Sequence, residues 1–250
     1  MLIPSEFDRL CVVLVSTRNP LNIGAVARAM SNLGFFRLRV VNPYEASFRE
    51  ARSAVGAAPL LQSAEQYKSV AQAVADCSLV IGTTAGHNRE LHQPLKLLPQ
   101  AASLIHKRLR SGRVALLFGS EKRGLSNSDL SYCHWLLRIP TREEHGSMNL
   151  GQAVAVCLYE LARTASRGKR SKMPLKRETK GDRPVMAGEL DRITALLLEA
   201  LRASGYLGQR PVAAKEEKVR RMVRRLRISA TDAEGWLGML RQIAWKLGQE

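Results

Sequence analysis

Five short runs of apolar residues, rich in valine, leucine and isoleucine, recur in the N-terminal part of the 250-residue chain. These runs are Leu10–Val15, Leu38–Val41, Leu79–Ile81, Val114–Phe118 and Leu136–Ile139. The intervening stretches have helical spacing, notably Ile23–Leu33, Val70–Ala75 and Leu95–Leu109, and a longer helix is predicted from about Asn149 to Thr164. Because continuous apolar strands that alternate with helices are buried on both faces, the pattern predicts an α/β domain with a parallel sheet.

The composition changes at Arg163, and the stretch Arg163–Pro184 holds nine Lys and Arg residues, two prolines and almost no large apolar side chain. Such a stretch is typical of a basic linker. Three amphipathic helices are predicted beyond it. Their expected inward faces are Leu190, Ile193, Leu197 and Leu201 in the first, Val219, Met222, Val223 and Leu226 in the second, and Trp236, Leu240, Ile243 and Leu247 in the third, which opens on a capping box at Thr231–Glu234. We therefore expect an α/β domain over residues 1–164, a linker over 165–185 and a small all-helical domain over 186–250.

The chain carries a formal net charge of +17, and the C-terminal part is the more basic. Residues 1–150 hold 18 Lys and Arg against 11 Asp and Glu, whereas residues 151–250 hold 21 against 11. Such an excess attracts polyanions through its summed field and through counterion release. Nucleic acid is therefore the favoured partner, and an anionic membrane surface is the alternative.

Four scattered cysteines, Cys11, Cys77, Cys133 and Cys157, form no CxxC pair or Cys/His cluster. They predict neither a metal site nor a disulfide framework, and they are typical of reduced core residues. The first apolar run is only as long as a strand and follows two acidic residues, which fits neither a signal peptide nor a membrane span. The expected protein is soluble and cytoplasmic, without a membrane partner.

Small residues cluster where three predicted strands end, at Gly82–Gly86, at Gly119–Leu125 and from Ile139 to Asn149. Open α/β sheets bind ligands at the carboxyl ends of their strands, and small residues there let backbone groups approach a ligand closely. No GxGxxG follows the first strand, so a dinucleotide site has no fingerprint. The Gly119–Gly124 spacing is that of a phosphate-binding loop, but Leu125 stands where that loop requires lysine.

Three ordered motifs of the chain resemble those of the SpoU (TrmH-type) ribose 2′-O-methyltransferases, which belong to the SPOUT superfamily. The motifs are Asn22, Gly24, Arg28 and Gly34, then Phe118, Gly119, Glu121, Gly124 and Leu125, then Ile139, Pro140, Ser147, Met148, Asn149 and Leu150. Within this family, the Asn42-Pro43 pair, the 51–57 segment, the Gly82-Thr83-Thr84 junction and the helical extension resemble the TrmJ subgroup. That subgroup methylates cytidine or uridine of tRNA, at the start of the anticodon loop.

The resemblance implies a parallel sheet with a C-terminal trefoil knot, a homodimer, and S-adenosylmethionine as the cofactor. Carried onto this chain, it implies a cofactor pocket formed largely by backbone groups. The expected pocket residues are Thr83, Thr84, Ala85, Gly119, Glu121, Gly124, Leu125, Ile139, Gly146, Ser147 and Met148. The expected catalytic residue is Arg28, acting across the dimer interface, with Asn22, Ser147 and Asn149 in support.

A guanidinium is normally always protonated, so Arg28 is expected to grip a phosphate and stabilise the developing oxyanion, although its acting as the base stays open. Other side chains have simpler interpretations. Asn22 and Ser147 are candidate helix caps, and Glu121 is expected to bond backbone amides of its own loop or to meet an arginine. His145 is an alternative base.

Two arginines near the motifs and four in the second C-terminal helix are the expected RNA contacts, through phosphate groups. They are Arg28, Arg123, Arg220, Arg221, Arg224 and Arg225. The function implied by the resemblance is methyl transfer to tRNA at nucleotide 32. The alternatives are a ribosomal RNA 2′-O-methyltransferase and a catalytically silent RNA-binding protein with the same fold.

Overall fold

The computed structural model describes residues 4–52, 58–85, 91–142, 144, 146–168, 183–207 and 213–248. The strands are β1 (Leu10–Val15), β2 (Arg37–Val41), β3 (Glu65–Tyr67), β4 (Leu79–Thr83), β5 (Leu95–Leu97), β6 (Val114–Phe118) and β7 (Trp135–Arg138). The helices are α1 (Pro4–Phe7), α2 (Pro20–Leu33), α3 (Glu45–Arg52), α4 (Ala58–Gln62), α5 (Val70–Val74), α6 (Leu98–Ser111), α7 (Asn127–Ser131), α8 (Leu150–Gly168), α9 (Ala187–Ala203), α10 (Ala213–Arg225) and α11 (Ala230–Leu247).

The strands form one seven-stranded sheet in the order β3-β2-β1-β6-β4-β7-β5, and every neighbouring pair is parallel. Strand β1 lies near the centre with all six of its residues buried. Leu10, Val12 and Leu14 pack into the cluster under α2, α6 and α8, while the alternate residues pack into a second cluster with α5 and α7. The predicted parallel sheet with helices on both faces is therefore confirmed. The trefoil knot stays a prediction.

Two edge strands, β3 and β5, are not signalled by apolar runs. Each has three residues, and none of those six side chains is buried, so a search for buried strands passes over them. The helix expected from Leu95 begins instead at Leu98, with Pro99 in its first turn, where proline is tolerated because the early amides have no helical partner.

Helices α2 and α8 cross at a point where both have small side chains. A Cβ placed on Gly151 would lie 2.7 Å from the Cβ of Ala25, closer than real Cβ contacts occur. Glycine at this position therefore permits the close crossing. Helix α8 continues to Gly168, beyond the predicted end at Thr164, and the middle of the expected linker, residues 169–182, lies outside the described residues.

The three C-terminal helices share an apolar cluster of their own, which includes Leu190, Ile193, Val223, Ala233 and Leu240. At the start of α9, the amide of Ala187 donates to the carbonyl of Cys77 (2.8 Å) and that of Gly188 to the carbonyl of Ala75 (2.9 Å). Amides at a helix N-terminus have no partner within the helix, so these bonds satisfy them and attach α9 to the α/β part. The division into the three predicted segments stays a prediction.

The predicted inward face of α10 is wrong at three positions. Met222 and Leu226 are 43% and 47% exposed, whereas Arg224, expected on the outer face, is 2% exposed. The reason is that α10 packs between α9 and α7, so its contact face is centred on Val219, Val223 and Arg224.

Helix α11 also departs from expectation. Its N-cap is Ser229, which accepts a hydrogen bond from the Asp232 amide (3.0 Å), rather than the expected capping box at Thr231–Glu234. Leu240 is buried as predicted, but Ile243 is 48% exposed. No helix among the described residues is long and apolar enough to cross a bilayer, and these residues contain no cluster of three or more His, Cys, Asp or Glu side chains that could hold a metal ion.

Candidate active site

The carboxyl ends of β4, β6 and β7, three adjacent strands, surround an open cleft of about 760 Å³. Its walls are the loops that follow these strands, together with the start of α8. The lining residues are Asn22, Thr83, Thr84, Ala85, Gly119, Ser120, Glu121, Lys122, Arg123, Gly124, Leu125, Leu137, Ile139, Thr141, Glu144, Gly146, Ser147, Met148, Asn149, Leu150 and Ala153.

All eleven residues expected to form a cofactor pocket lie in this lining, together with Asn22 and Asn149. Their convergence follows from the sheet order, because β4 lies between β6 and β7. Lys122 and Thr141, which share the same loops, also line the cleft but were not predicted from the sequence. Loop membership was the only available signal, since the direction of a loop side chain depends on the fold. His145 and Glu143 lie outside the described residues.

The loop after β6 is a tight turn with two glycines in distinct roles. The amide of Gly124 donates to the carbonyl of Ser120 (2.8 Å), and Gly124 has φ +65°, a conformation that favours glycine. A Cβ on Gly119 would lie 2.0 Å from the carbonyl carbon of Gly124. Gly119 therefore lets the chain return against its own backbone, and the turn keeps its backbone groups at the cleft.

A hydrogen-bond network connects all three motifs at the cleft. The carboxylate of Glu121 accepts from the backbone amides of Asn19 (3.2 Å) and Arg18 (3.4 Å) and from the side-chain amide of Asn22 (3.1 Å). The side-chain amide of Asn149 donates in turn to the side-chain oxygen of Asn22 (2.9 Å). The start of α2 is thereby joined to the β6 loop and to the start of α8.

The pKa of the Glu121 carboxyl reflects this network. Burial alone would raise that pKa, because it disfavours the charged form. Hydrogen bonds from the backbone amide of Glu121 itself, the Asn22 side chain and the amides of Asn19 and Arg18 outweigh burial, so the pKa lies below its ordinary value of 4.5. Glu121 is consequently an ionised acceptor, held by amides rather than by an arginine side chain, and is poorly suited to take up a proton.

Two capping assignments are corrected. Asn19 rather than Asn22 caps α2, with its side-chain oxygen accepting from the amide of Leu21 (2.9 Å). At α8, Asn149 rather than Ser147 takes this position, because its side-chain oxygen accepts from the amides of Gly151 (2.9 Å) and Gln152 (3.4 Å). Asn22 and Ser147 are therefore not needed as caps, and Ser147 is exposed at the cleft.

Arg28 is exposed on α2 and does not line the cleft of its own chain. It follows Asn22 by six residues, which corresponds to about 9 Å along a helix axis. Its catalytic role stays a prediction, and its position fits the expectation that it serves a site other than the cleft beside it.

The expected RNA contacts divide into two groups. Arg123 is exposed at the cleft, Arg225 is exposed on α10, and Arg221 pairs with Glu217 (3.6 Å). Arg220 and Arg224 instead make contacts within the chain. Arg224 is buried and donates to Asp191 (2.7 Å), so it is not available to a phosphate in this arrangement and the expectation for it does not fit the structure.

Replacing Glu121 by glutamine tests the network. Because the pKa of Glu121 is lowered in the folded protein, the stabilisation from its charge is complete above the ordinary pKa of 4.5 and is lost as the pH falls through the lower folded value. We expect Glu121→Gln to lower the melting temperature by about 2–4 °C at pH 7, the effect of a modest, partly screened interaction in a chain of this size. Below pH 4.5 the difference from wild type should shrink.

Melting curves of both proteins between pH 3.5 and 7 make this measurement. Glu144→Gln is the matched control, because Glu144 also lines the cleft but no hydrogen bond is found for it among the described residues. A pH-independent difference for Glu121→Gln would contradict the assignment.

Comparison with known proteins identifies the family to which the chain belongs. The model of the SpoU rRNA methylase family matches residues 9–159, which include all three motifs and the cleft. The chain belongs to this family of methyltransferases.

Curated relatives match nearly the whole chain. The tRNA (cytidine/uridine/adenosine-2′-O-)-methyltransferase TrmJ of Pseudomonas aeruginosa is 36% identical over 239 residues, covering 93% of each chain. The tRNA (cytidine/uridine-2′-O-)-methyltransferase TrmJ of Klebsiella pneumoniae is 33% identical over 93% of this chain and 95% of its own.

Solved structures agree with these sequence matches. TrmJ from Z. mobilis ZM4 has a TM-score of 0.77 at 28% identity, covering 93% of this chain and 98% of its own. A structure described as giving insights into 2′-OH methylation of C/U34 on tRNA has a TM-score of 0.51 at 26% identity, covering 64% of this chain and 99% of its own.

Proposed function

We propose that this chain transfers a methyl group from S-adenosylmethionine to a ribose 2′-hydroxyl of tRNA, at cytidine or uridine. The observation that carries the proposal is the Asn22–Glu121–Asn149 network, which connects the motif containing Arg28 to the cleft. The network holds the start of α2, which carries Arg28, to the loop after β6 and to the start of α8, so all three motifs meet at one cleft.

The donor set of the cleft fits S-adenosylmethionine. Leu137, Ile139 and Ala153 offer apolar surface for an adenine ring, while the turn between Gly119 and Gly124 offers backbone groups for hydrogen bonds. Glu144 is a carboxylate at the cleft of a strongly basic chain, and a cofactor with a sulfonium and an ammonium group attracts such a charge. When bound, the cofactor supplies an activated methyl group.

The residues of the chain must place the ribose oxygen and manage one proton. Arg28 holds the neighbouring phosphate with its two-pronged guanidinium and stabilises negative charge developing on the 2′-oxygen. The proton leaves to a phosphate oxygen or to water, because the lowered pKa of Glu121 makes its carboxylate a weak base whose oxygens already accept from amides. Ser147 and Asn149 support the substrate side of the cleft.

The proposed active unit is a homodimer in which Arg28 of one subunit serves the cleft of the other. Exposure of Arg28 outside its own cleft supports this arrangement. Exposed apolar residues on α2, the helix of Arg28, and on the adjacent α8 support the dimer as well. Leu21 on α2 is 80% exposed, and Tyr159 on α8 is 59% exposed. An interface between copies would bury both.

The substrate is tRNA rather than ribosomal RNA, because relatives that match the chain over its helical C-terminal part are tRNA methyltransferases.

Residues 1–164 are the catalytic domain, 165–185 the linker and 186–250 the RNA-binding domain, with Arg123, Arg221 and Arg225 as phosphate contacts. The proposed location is the cytoplasm. The modified position is nucleotide 32. Nucleotide 34 is the second candidate, since a structure concerned with C/U34 matches the catalytic part.

Nucleoside mapping tests the function directly. Purified protein is incubated with bulk tRNA and S-adenosylmethionine carrying a labelled methyl group, and nuclease fragments are sequenced by mass spectrometry. We expect labelled 2′-O-methylcytidine or 2′-O-methyluridine at nucleotide 32. Label at nucleotide 34 would correct the position.

A parallel reaction with ribosomal RNA separates the main alternative, because label confined to ribosomal RNA would overturn the tRNA assignment. Calorimetry with S-adenosylmethionine tests the silent-protein alternative, which predicts no cofactor binding and no methylation of either RNA.

A further inference from the structure

Arg220 of α10 lies at a contact between the helical C-terminal part and the α/β part. Its guanidinium carbon lies 4.3 Å from the centroid of the Tyr132 ring, and its Nη1 donates to the hydroxyl of Ser131 (2.8 Å). Ser131 is fully buried and its hydroxyl donates in turn to the carbonyl of Ser128 (2.6 Å). The Arg220 guanidinium therefore makes two contacts within the chain, a cation–π contact with the Tyr132 ring and a hydrogen bond to Ser131.

The contacted helix, α7, is joined directly to the turn that forms one wall of the cleft. Its N-cap, Ser126, follows Leu125, and Ser126 and Asp129 form a capping box. Leu125 and Leu130 are both buried beside β4, where a Cβ on Gly82 would lie 3.3 Å and 2.9 Å from their methyl groups. A displacement of α7 would therefore be transmitted to the 119–125 turn and to the end of β4, at Gly82 and Thr83.

An ion pair holds α10 to α9 one helical turn further along. Arg224, whose side chain is buried, donates to the carboxylate of Asp191 (2.7 Å), which is 22% exposed. The start of α9 is itself attached to the α/β part through the amides of Ala187 and Gly188. Within the described part of the chain, the helical part contacts the α/β part both at the start of α9 and at α7, and Arg220 belongs to the contact at α7, the helix next to the 119–125 turn.

We propose that Arg220 is a positioning residue, which fixes the helical part against α7 so that a tRNA bound to the helices meets the cleft in register. This inference rests on the proposed tRNA methylation. Arg220 then governs how fast bound tRNA is methylated, whereas exposed arginines such as Arg225 govern how tightly tRNA binds. A phosphate contact and a positioning contact have different kinetic signatures, because only the former contributes counterion release.

The two kinds of contact are distinguished by measuring the steady-state kinetics and the tRNA affinity of Arg220→Ala. Arg225→Ala, on the same helix, is the matched variant. We expect Arg220→Ala to lower kcat about ten- to a hundredfold, as misplacement of a substrate does, with the Kd for tRNA and its salt dependence within about twofold of wild type. Arg225→Ala should raise the KM and the Kd and reduce the slope of log Kd against log salt by about one.

Variants of Tyr132 test the contact from the other side. Tyr132→Phe keeps the aromatic face and should retain near wild-type kcat, whereas Tyr132→Leu should reproduce the loss seen with Arg220→Ala, and its folding is checked by thermal melting. If Arg220→Ala proves unfolded, the Tyr132 pair decides alone.

An unchanged kcat in both Arg220→Ala and Tyr132→Leu, or a reduced salt slope in Arg220→Ala, would overturn the positioning role. The wild-type reaction in the same assay separates this from a failure of the proposed function. Wild-type protein that methylates no tRNA refutes the function itself, whereas active wild type with unaffected variants refutes only the role of Arg220.

Discussion

Arg28→Lys should bind S-adenosylmethionine with wild-type affinity and methylate tRNA at least about a hundredfold more slowly, the size of effect seen when a donor to a developing oxyanion is lost. Lysine keeps the positive charge but is a point donor, so it cannot hold a phosphate with two parallel hydrogen bonds. Cofactor affinity should persist because the proposed partner of Arg28 is a phosphate of the tRNA and not the cofactor. Calorimetry and single-turnover methylation provide the two measurements. Near-normal turnover in Arg28→Lys would refute the proposed grip.

Subunit complementation tests whether Arg28 acts across the dimer. A subunit carrying Arg28→Ala is paired, through two different affinity tags, with a subunit whose cleft is disabled by Gly119→Val. In the mixed dimer the intact cleft meets the intact Arg28 of the other subunit, so about half of the wild-type activity should return. If Arg28 served its own cleft, neither site of the mixed dimer would be complete and activity would stay at the level of the two parents.

Gly119→Ala should weaken cofactor binding about ten- to a hundredfold, because overpacking of this kind costs about 1–3 kcal/mol and each 1.4 kcal/mol is a factor of ten. The added Cβ would lie 2.0 Å from the carbonyl carbon of Gly124 and 2.2 Å from the amide nitrogen of Leu125. Both neighbours are backbone atoms, so the 119–125 turn itself must open. Isothermal titration with S-adenosylmethionine measures the loss.

A glycine that meets no neighbour supplies the control for this substitution. A Cβ on Gly238, in the interior of α11, has nothing within 4 Å. Gly238→Ala should therefore stabilise the protein by about 0.5–1 kcal/mol through helix propensity and leave cofactor binding unchanged. Equal cofactor affinities for Gly119→Ala and Gly238→Ala would show that the 119–125 turn does not form the pocket.

The central strands could be predicted from sequence because burial on both faces leaves an uninterrupted apolar run, as in β1. The cleft could be anticipated for a related reason, since the loops after parallel strands meet at one edge of the sheet. Edge strands such as β5 carry no such signal, because their side chains are exposed or only half-buried and need not be apolar.

The contacts between individual side chains could not be predicted from the sequence in the same way. The pairing of Glu121 with Asn22 joins residues 99 positions apart, and nothing local in the sequence encodes it. Arg224 lies in an arginine-rich helix, so the sequence alone suggests a solvent-exposed side chain. It is buried beside Asp191 because α10 packs against α9 and α7. Local rules assign each residue to a helix or loop, whereas the identity of its partner depends on topology.

The close crossing of α2 and α8 has an evolutionary consequence. Positions 25 and 151 share one small volume, in which the methyl group of Ala25 occupies the space that a side chain at Gly151 would need. Helix α2 carries Asn22 and Arg28, and α8 begins beside the cleft, so a side chain at position 151 would shift both motifs together. Evolution at position 151 is therefore tied to position 25, because a side chain can be accepted at 151 only where position 25 gives up its methyl group.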